Sequence, residues 1–524
     1  MDPVLAYHER SKHQLDRYAP GPVDLDWNSQ PDPFRQYAGT PVLDLQLLKG
    51  DLSVCWDDLF DATALPQQEL NGEGLACLLQ LSLGISAWKA YGGNRWALRC
   101  NPSSGNLHPT EGYLICPDLP GLPAGVYHYR PDSHCLERRA TAPLMWSRGV
   151  LLALTGIHWR EAWKYGMRAF RYCQHDSGHA LAAISYAAAA LGWQARLLAE
   201  WGDTEIASLT GVDRAGDFPV AETEEPEALL WIGPGKAPAA AEVLAMLKDA
   251  DWAGHANVLS QSHRDWQDIR SVATATRKPS LEQKPINLQA PLPILAPVSR
   301  APVSHLIRNR RSAQTFDGMT SIGAPAFYRM LDSLLPRAGL PPWSVLNDAP
   351  SVHPVLFVHR VDGLEPGIYC LPRAPAALAG LRAAMRPDWL WAHVPGCPEH
   401  LPLYLLAPLD VRRFAATASC HQNIAADSAF ALAMLARFND INLGQPWLYR
   451  ERFWEAGILG QALYLEAEAA GVQGTGIGCY FDDEVHRALG LDTLRFQDIY
   501  HFTVGKAVID TRIGNEEAYV RLAE

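Results

Sequence analysis

The sequence predicts an α+β protein built from two fused copies of one domain. Three observations carry this: strand-like and helix-like stretches are interleaved, the second half repeats signals of the first, and 524 residues exceed one ordinary domain. In the first half Leu75 to Trp88 has apolar residues at three- and four-residue steps and predicts a helix. Gly125 to Tyr129 alternates as a strand and runs into the turn formers Pro131-Asp132-Ser133. Leu151 to Gly156 is a short strand. Trp163 to Trp193 is one long helix or two abutting ones. Glu205 to Thr210 is a short helix stopped by Gly211, and Leu229 to Ile232 is the last strand. Residues 1–50 show no clean periodicity.

The repeat is read from ordered matches. W-x-Y-x-x-R occurs at Trp163 to Arg168 and at Trp447 to Arg452. G-x-A-L occurs at Gly178 and at Gly460. Gly192 and Gly211-Val212-Asp213 are matched by Gly471 and Gly490-Leu491-Asp492, both glycine pairs 19 residues apart. Gly125-Val126-Tyr127 echoes Gly367-Ile368-Tyr369, and the halves close on Trp231-Ile232-Gly233 and Thr503-Val504-Gly505. Between them, two polar helices are expected near 239–249 and 261–275. Prolines at 279, 285, 291, 293 and 297 then mark an extended linker. The expected domains are 1–235 and 301–524, joined by 236–300.

Composition narrows the function. The chain is 48% hydrophobic and 19% charged, with Lys+Arg 45 against Asp+Glu 57 and a net charge of −12. That acidic balance argues against nucleic acid or an anionic membrane as partner. Ten cysteines without a C-x-x-C pair fit reduced thiols and a cytoplasmic setting. No secretory signal is visible at the N-terminus, and the most apolar helix candidate, Ala180 to Leu191, is too short for a bilayer.

The stretch Asn101-Pro102-Ser103-Ser104-Gly105-Asn106-Leu107-His108-Pro109 is small, polar and rich in turn formers, so it can bend sharply and present N–H groups and hydroxyls to one spot. An ordinary turn before a strand is the plain alternative. P-S-S-G-N-L-H-P closely resembles the P-S-S-x-N-x-Q-P segment of the FMN-dependent nitroreductase fold. With the preceding arginines it resembles the SagB/ThcOx-type dehydrogenase branch, His108 standing where Gln is usual.

The resemblance implies two nitroreductase-like domains forming an intramolecular pseudo-dimer. It further implies an FMN site assembled from both halves. The first half would supply Pro102, Ser103, Ser104 and Asn106 along the ring. The second would supply Arg310-Arg311-Ser312 for the phosphate tail and Gly476-Ile477-Gly478-Cys479 for backbone N–H groups at the ring edge. Gln314 stands where the family often carries a cation, so Arg99 is expected to substitute, and Arg512 is counted with the cofactor residues. Lys164-Tyr165 matches the branch's K-Y-x-x-R and is the candidate catalytic pair; a base near neutrality would need its pKa lowered.

The reciprocal site looks broken. Arg196-Leu197-Leu198-Ala199-Glu200 lacks the glycines, and Pro350-Ser351 is a remnant, so one FMN per chain is expected. His175 and His179 beside Asp176 lack the Glu of H-E-x-x-H, and no metal is expected. The implied activity is an FMN-dependent oxidoreductase. Its substrate would be a peptide or small heterocycle, or a nitro or quinone compound with NAD(P)H as donor. The chain would act as a monomer or a further homodimer. The alternative is a non-catalytic flavin- or partner-binding pseudo-dimer.

Overall fold

The computed structural model describes residues 2–61, 65, 67–282, 292–346, 348–441 and 444–520. Pro285 and Pro291 of the expected linker lie outside the described residues. Two antiparallel sheets share one topology. The first runs Asp251–Trp252, Cys135–Thr141, Gly125–Arg130, Thr110–Cys116, Val150–Gly156, Glu225–Ile232, Ala195–Leu197, with Val42–Asp44 also on Cys135–Thr141. The second runs Ala392–His393, Tyr404–Pro408, Gly367–Cys370, Val352–Val358, Phe430–Arg437, Phe496–Gly505, Gln473–Ile477. Gly125 and Gly367 open equivalent strands, paired to Cys116 and Val358. Ile232 and Val504 occupy equivalent places, opposite Ala195 and Gly474.

Each sheet is backed by a helix of 22 residues, Ala169–Ala190 and Leu448–Ala469. These two helices pack on each other and form the seam between the units. Their crossing is close because it is made by glycines. A Cβ on Gly178 would lie 2.2 Å from the carbonyl oxygen of Trp454, and one on Gly457 2.3 Å from that of His175. One continuous apolar core draws on both helices, including Leu181 and Ile184 from the first and Ile458 and Leu463 from the second.

The pseudo-symmetry is strictest in two buried ion pairs. Arg171 holds Asp482 at 2.5 Å and Arg450 holds Asp203 at 2.6 Å. Arg450 lies 279 positions after Arg171, and Asp482 lies 279 after Asp203. Gly192 and Gly471, like Gly211 and Gly490, keep that register. The W-x-Y-x-x-R and G-x-A-L matches do not: Trp163 and Trp447 are 284 apart, and Gly178 and Gly460 are 282 apart. A helix face recurs every three to four residues, so matches a few positions out of register can keep residue types on a face while missing true equivalence.

The units exchange arms. The helix Pro3–Arg10 leads to His13, whose N–H donates to the Asp482 carboxylate and whose carbonyl accepts the Asp482 N–H of the second unit. The helix Gln267–Ala275 leads to Lys278, which trades the equivalent bonds with Asp203 of the first. Ala240–Leu247 is the other helix of the 236–300 segment, which also adds the edge strand Asp251–Trp252 to the first sheet. At the C-terminus Gly514–Glu516 pairs with Ile85–Tyr91 of the first unit.

Two local expectations are corrected. The helix from Leu75 ends at Ser82, and Trp88 is in a strand, because Gly84 breaks the helical run. The first 50 residues do contain a helix, Pro3–Arg10. It is set by its cap, Asp2 accepting the Val4 N–H at 2.8 Å, and is too short to show periodicity.

Candidate functional site

At the seam lies a cavity of about 280 Å³. The first unit contributes Pro102, Ser103, Ser104, Gly105, Tyr165, Tyr172, Asp176 and His179 to its wall. The second contributes Ser312, Gln422, Tyr464, Gly476, Ile477, Gly478, Cys479 and Tyr500. The convergence expected from separate halves is therefore present.

The first-unit wall is built by a turn, Ser104–Asn106, with Gly105 at φ 59°. A side chain there would collide with the Tyr165 hydroxyl. Asp176, on the central helix, accepts the Ser104 N–H at 3.1 Å and its hydroxyl at 3.2 Å, anchoring the turn. Ser103 lies 3.5 Å from Glu161, one of whose oxygens is buried without a hydrogen-bond partner. Two buried carboxyls thus face one turn. Burial first, and Asp176 second, raise Glu161 well above the carboxylate range; burial pushes Asp176 up to about 7 despite its serine donors.

The second-unit wall is the end of strand Gln473–Ile477 and the loop beyond it. Ser312 runs beside Gly474, and Ala313 N–H donates to the Gly474 carbonyl at 3.1 Å. Tyr464 ties these parts together, its hydroxyl accepting the Gly476 N–H at 2.9 Å and bonding Ser312 at 2.8 Å. The loop carbonyls are held by neighbouring side chains: Tyr172 and Arg168 bond the Gly478 oxygen, and Gln422 the Cys479 oxygen. Gly478 is required by closeness, since a Cβ would meet the Tyr172 ring at 2.5 Å.

Arg310 stands behind Tyr464, its guanidinium 4.9 Å from the ring centre. It is buried, donates once to the Arg99 carbonyl at 3.1 Å, and keeps Nε and Nη1 without a partner. A buried cation with two spare N–H groups is an arrangement that an anion completes.

Several predicted residues stand elsewhere. Arg99 is buried but donates to the carbonyls of Pro33 and Thr110 and lies on Phe34, away from the cavity wall. Asn106 turns its amide onto the Ala97 carbonyl at 2.8 Å and onto His108. Arg311 donates to the carbonyls of Arg308 and Arg310. Gln314 is exposed, and Arg512 is exposed and paired with Asp510. Lys164 is half-buried, 5.3 Å over the Tyr165 ring. Burial raises Tyr165 well above its ordinary value, so it is a hydroxyl donor and not a base.

Sequence reasoning missed Glu161, Tyr172, Tyr464 and Tyr500, and it weighed Asp176 only as a metal hint. His175 and His179 are packing groups here. One bonds the Ile499 carbonyl at 2.9 Å and stacks on Tyr500; the other bonds the Tyr500 hydroxyl at 3.0 Å. A buried Asp beside a P-S-S turn is the signal that would have found Asp176.

No family model matches the chain. Over almost its full length it superposes on a protein of Anabaena variabilis ATCC 29413 whose crystal structure carries a provisional nitroreductase assignment. The TM-score is 0.70 at 22% identity, covering 97% of this chain and 100% of the other. The fold is the nitroreductase fold, present twice in one chain.

A nitroreductase-fold protein of Exiguobacterium sibiricum 255-15, solved in complex with FMN, covers 39% of this chain and 88% of its own, at 15% identity and a TM-score of 0.22. In sequence, MJ1384 of Methanocaldococcus jannaschii, also provisionally a nitroreductase, is 29% identical over 118 residues. That is 20% of this chain and 60% of that protein, so the chain spans less than two thirds of this curated relative. Among the described residues no helix is long and apolar enough to cross a membrane.

Proposed function

We propose that this protein is an FMN-dependent oxidoreductase with one cofactor site per chain, at the seam between its two nitroreductase-like units. The observation that carries this reading is the convergence of Pro102–Gly105 from one unit with Ser312 and Gly476–Cys479 from the other around one cavity. The residues fit the group. Arg310, behind Tyr464, has two unpartnered N–H groups for a phosphate, Ser312 adds a hydroxyl, and glycines at 476 and 478 let the loop lie directly against Tyr500 and Tyr172 in the cavity wall. The turn at Ser103–Gly105 would cover the ring. Bound FMN supplies hydride chemistry at N5; the chain orients it and tunes its electronics.

The chain's own groups handle the proton. Asp176, titrating near neutrality, exchanges a proton at Oδ2, which accepts the Ser104 N–H at 3.2 Å, while Oδ1 also takes the Ser104 hydroxyl. Glu161 stays protonated, and Tyr165 donates its hydroxyl into the same cavity. Lys164 and Tyr165 remain the pair we assign to substrate. The substrate is a peptide-borne or small heterocycle to be oxidised, or a nitro or quinone compound reduced with NAD(P)H. We place the domain boundaries near 235 and 300, with a cytoplasmic setting.

Purified protein tests this directly. The reading expects flavin absorbance that bleaches with NAD(P)H or with the oxidisable substrate. A colourless protein that added FMN does not stabilise against heat would reject it, since a ligand at 100 times its Kd adds about 2.7 kcal/mol.

A further inference from the structure

Cys479, the last residue of the glycine loop in the cavity wall, has a thiol neighbour that no part of the reading above uses. Cys420 Sγ lies 2.7 Å from Cys479 Sγ, and the two share a hydrogen bond. Both are half-buried and unbridged. The two come from segments 59 residues apart. Cys420 follows the helix Arg412–Ala418 and has φ 53°, with His421 at φ 58°. Two consecutive non-glycine residues in the left-handed region are costly, and such strain persists where the surroundings impose it. Gln422, next in the chain, donates to the Cys479 carbonyl at 3.0 Å and so fixes this turn to the glycine loop.

We propose that Cys420 and Cys479 are a redox-active dithiol that closes into an intramolecular disulfide in the cavity wall, taking a low-molecular-weight disulfide such as oxidised glutathione as oxidant. Cys479 is the attacking sulfur. The shared hydrogen bond holds it below the ordinary thiol value, burial opposing and the Arg168 charge assisting, while the same contact pushes Cys420 up. In the first step Cys479 Sγ bonds to one sulfur of the small disulfide, whose S–S bond breaks, and a first thiolate leaves. In the second, Cys420 Sγ, giving up its proton, attacks Cys479 Sγ and expels the second thiolate. Two protein thiols are oxidised, one small disulfide is reduced to two thiols, and the two protons go to those products. With the sulfurs already in contact, closure needs little backbone movement. The bond would tie the Gly476–Cys479 loop to the Cys420 turn, making the shape of the cavity wall depend on redox poise.

The other eight cysteines serve as controls. Six are buried, and the thiols of half-buried Cys55 and Cys397 donate to the carbonyls of Ser53 and Leu401. The full chain, with or without FMN, is equilibrated across ratios of reduced to oxidised glutathione, quenched by alkylation and mapped by mass spectrometry without reduction. The expected result is a Cys420–Cys479 cross-link that appears and disappears with the ratio, costing two alkylatable thiols. Cys420→Ser should trap a glutathione adduct on Cys479, and Cys479→Ser should leave Cys420 unmodified. Two thiols still free in excess oxidised glutathione, a cross-link indifferent to reduced glutathione, or adducts on Cys55 and Cys397 equal to that on Cys479 would each overturn the proposal. None of these readings involves flavin, so they stand or fall apart from the proposed function.

Discussion

The two ends of the seam occupy equivalent places in the two units and differ in what they hold. At the cavity, Asp176 receives Ser104 and has no ion pair among the described residues; at the equivalent position, Glu455 receives the Ser351 N–H and is paired with Arg373. The loop Gly476–Cys479 faces a cavity, whereas its counterpart Leu197–Glu200 lies under chain: Leu281 N–H donates to the Glu200 carbonyl, and Ser280 and Pro279 cover Gly202. The arms explain the last difference. After His13 the first arm turns at Gln14–Arg17 and sets Tyr18 against Phe481, leaving the loop exposed to the cavity, while after Lys278 the second runs on along the loop it docks against. The scaffold at the two ends, an Arg–Asp pair and an arm at a helix start, is conserved in geometry. The ends differ in space and uncompensated charge, the two features that ligand sites combine.

The scaffold predicts the largest effects. Arg450→Ala leaves Asp203 buried with its closest cation removed and should cost about 4 kcal/mol in urea unfolding. Arg171→Ala should cost about 2 kcal/mol, because Arg168 still holds Asp482 at 2.9 Å. Equal costs would show that the two ends are not balanced as described. Next, Gly478→Val puts a side chain against Tyr172 and should weaken FMN binding about 10- to 100-fold by fluorescence titration, whereas Ala199→Val at the covered end should leave it unchanged.

The carboxyls separate the ends by pH. Asp176 in the folded protein titrates at about 7, above the unfolded value of about 4. Its contribution to stability is therefore present below pH ~4 and is lost as pH rises through about 7. Asp176→Asn should flatten that part of the stability curve and remove an inflection near neutrality from kcat/KM. A wild-type profile flat from pH 5 to 8 would contradict the assignment. The smallest effect concerns Asn106. Asn106→Ala loses its bond to the Ala97 carbonyl and should cost about 1 kcal/mol of stability, with flavin binding weakened only through the turn.

Asn106 also shows how far the sequence could be read. That the turn Pro102 to Gly105 and the glycine loop meet at one cavity was legible because backbone conformation and residue type are tightly linked. The duplication was legible in glycines that end helices and strands, since those positions tolerate no substitute. It was misread along the central helices, where W-x-Y-x-x-R and G-x-A-L fall out of register. Side-chain direction was not legible: Arg99, the expected substitute cation, bonds Pro33 and Thr110, and Gln314 faces solvent. Nor could the sequence reveal Tyr464 or Glu161, ordinary helix residues whose place depends on segments distant in the chain, Tyr464 on Ser312 and Gly476 and Glu161 on Ser103. The lowering that Tyr165 would need to act as a base runs against its burial, which raises a phenol.

Flavin stoichiometry tests the central claim most directly. Protein reconstituted with FMN and freed of excess should hold one FMN per chain. Arg310→Ala, on the second unit, and Ser103→Ala together with Ser104→Ala, on the first, should each bring that figure toward zero in folded protein. Two FMN per chain, or full occupancy in either variant, would contradict a single cofactor site shared across the seam.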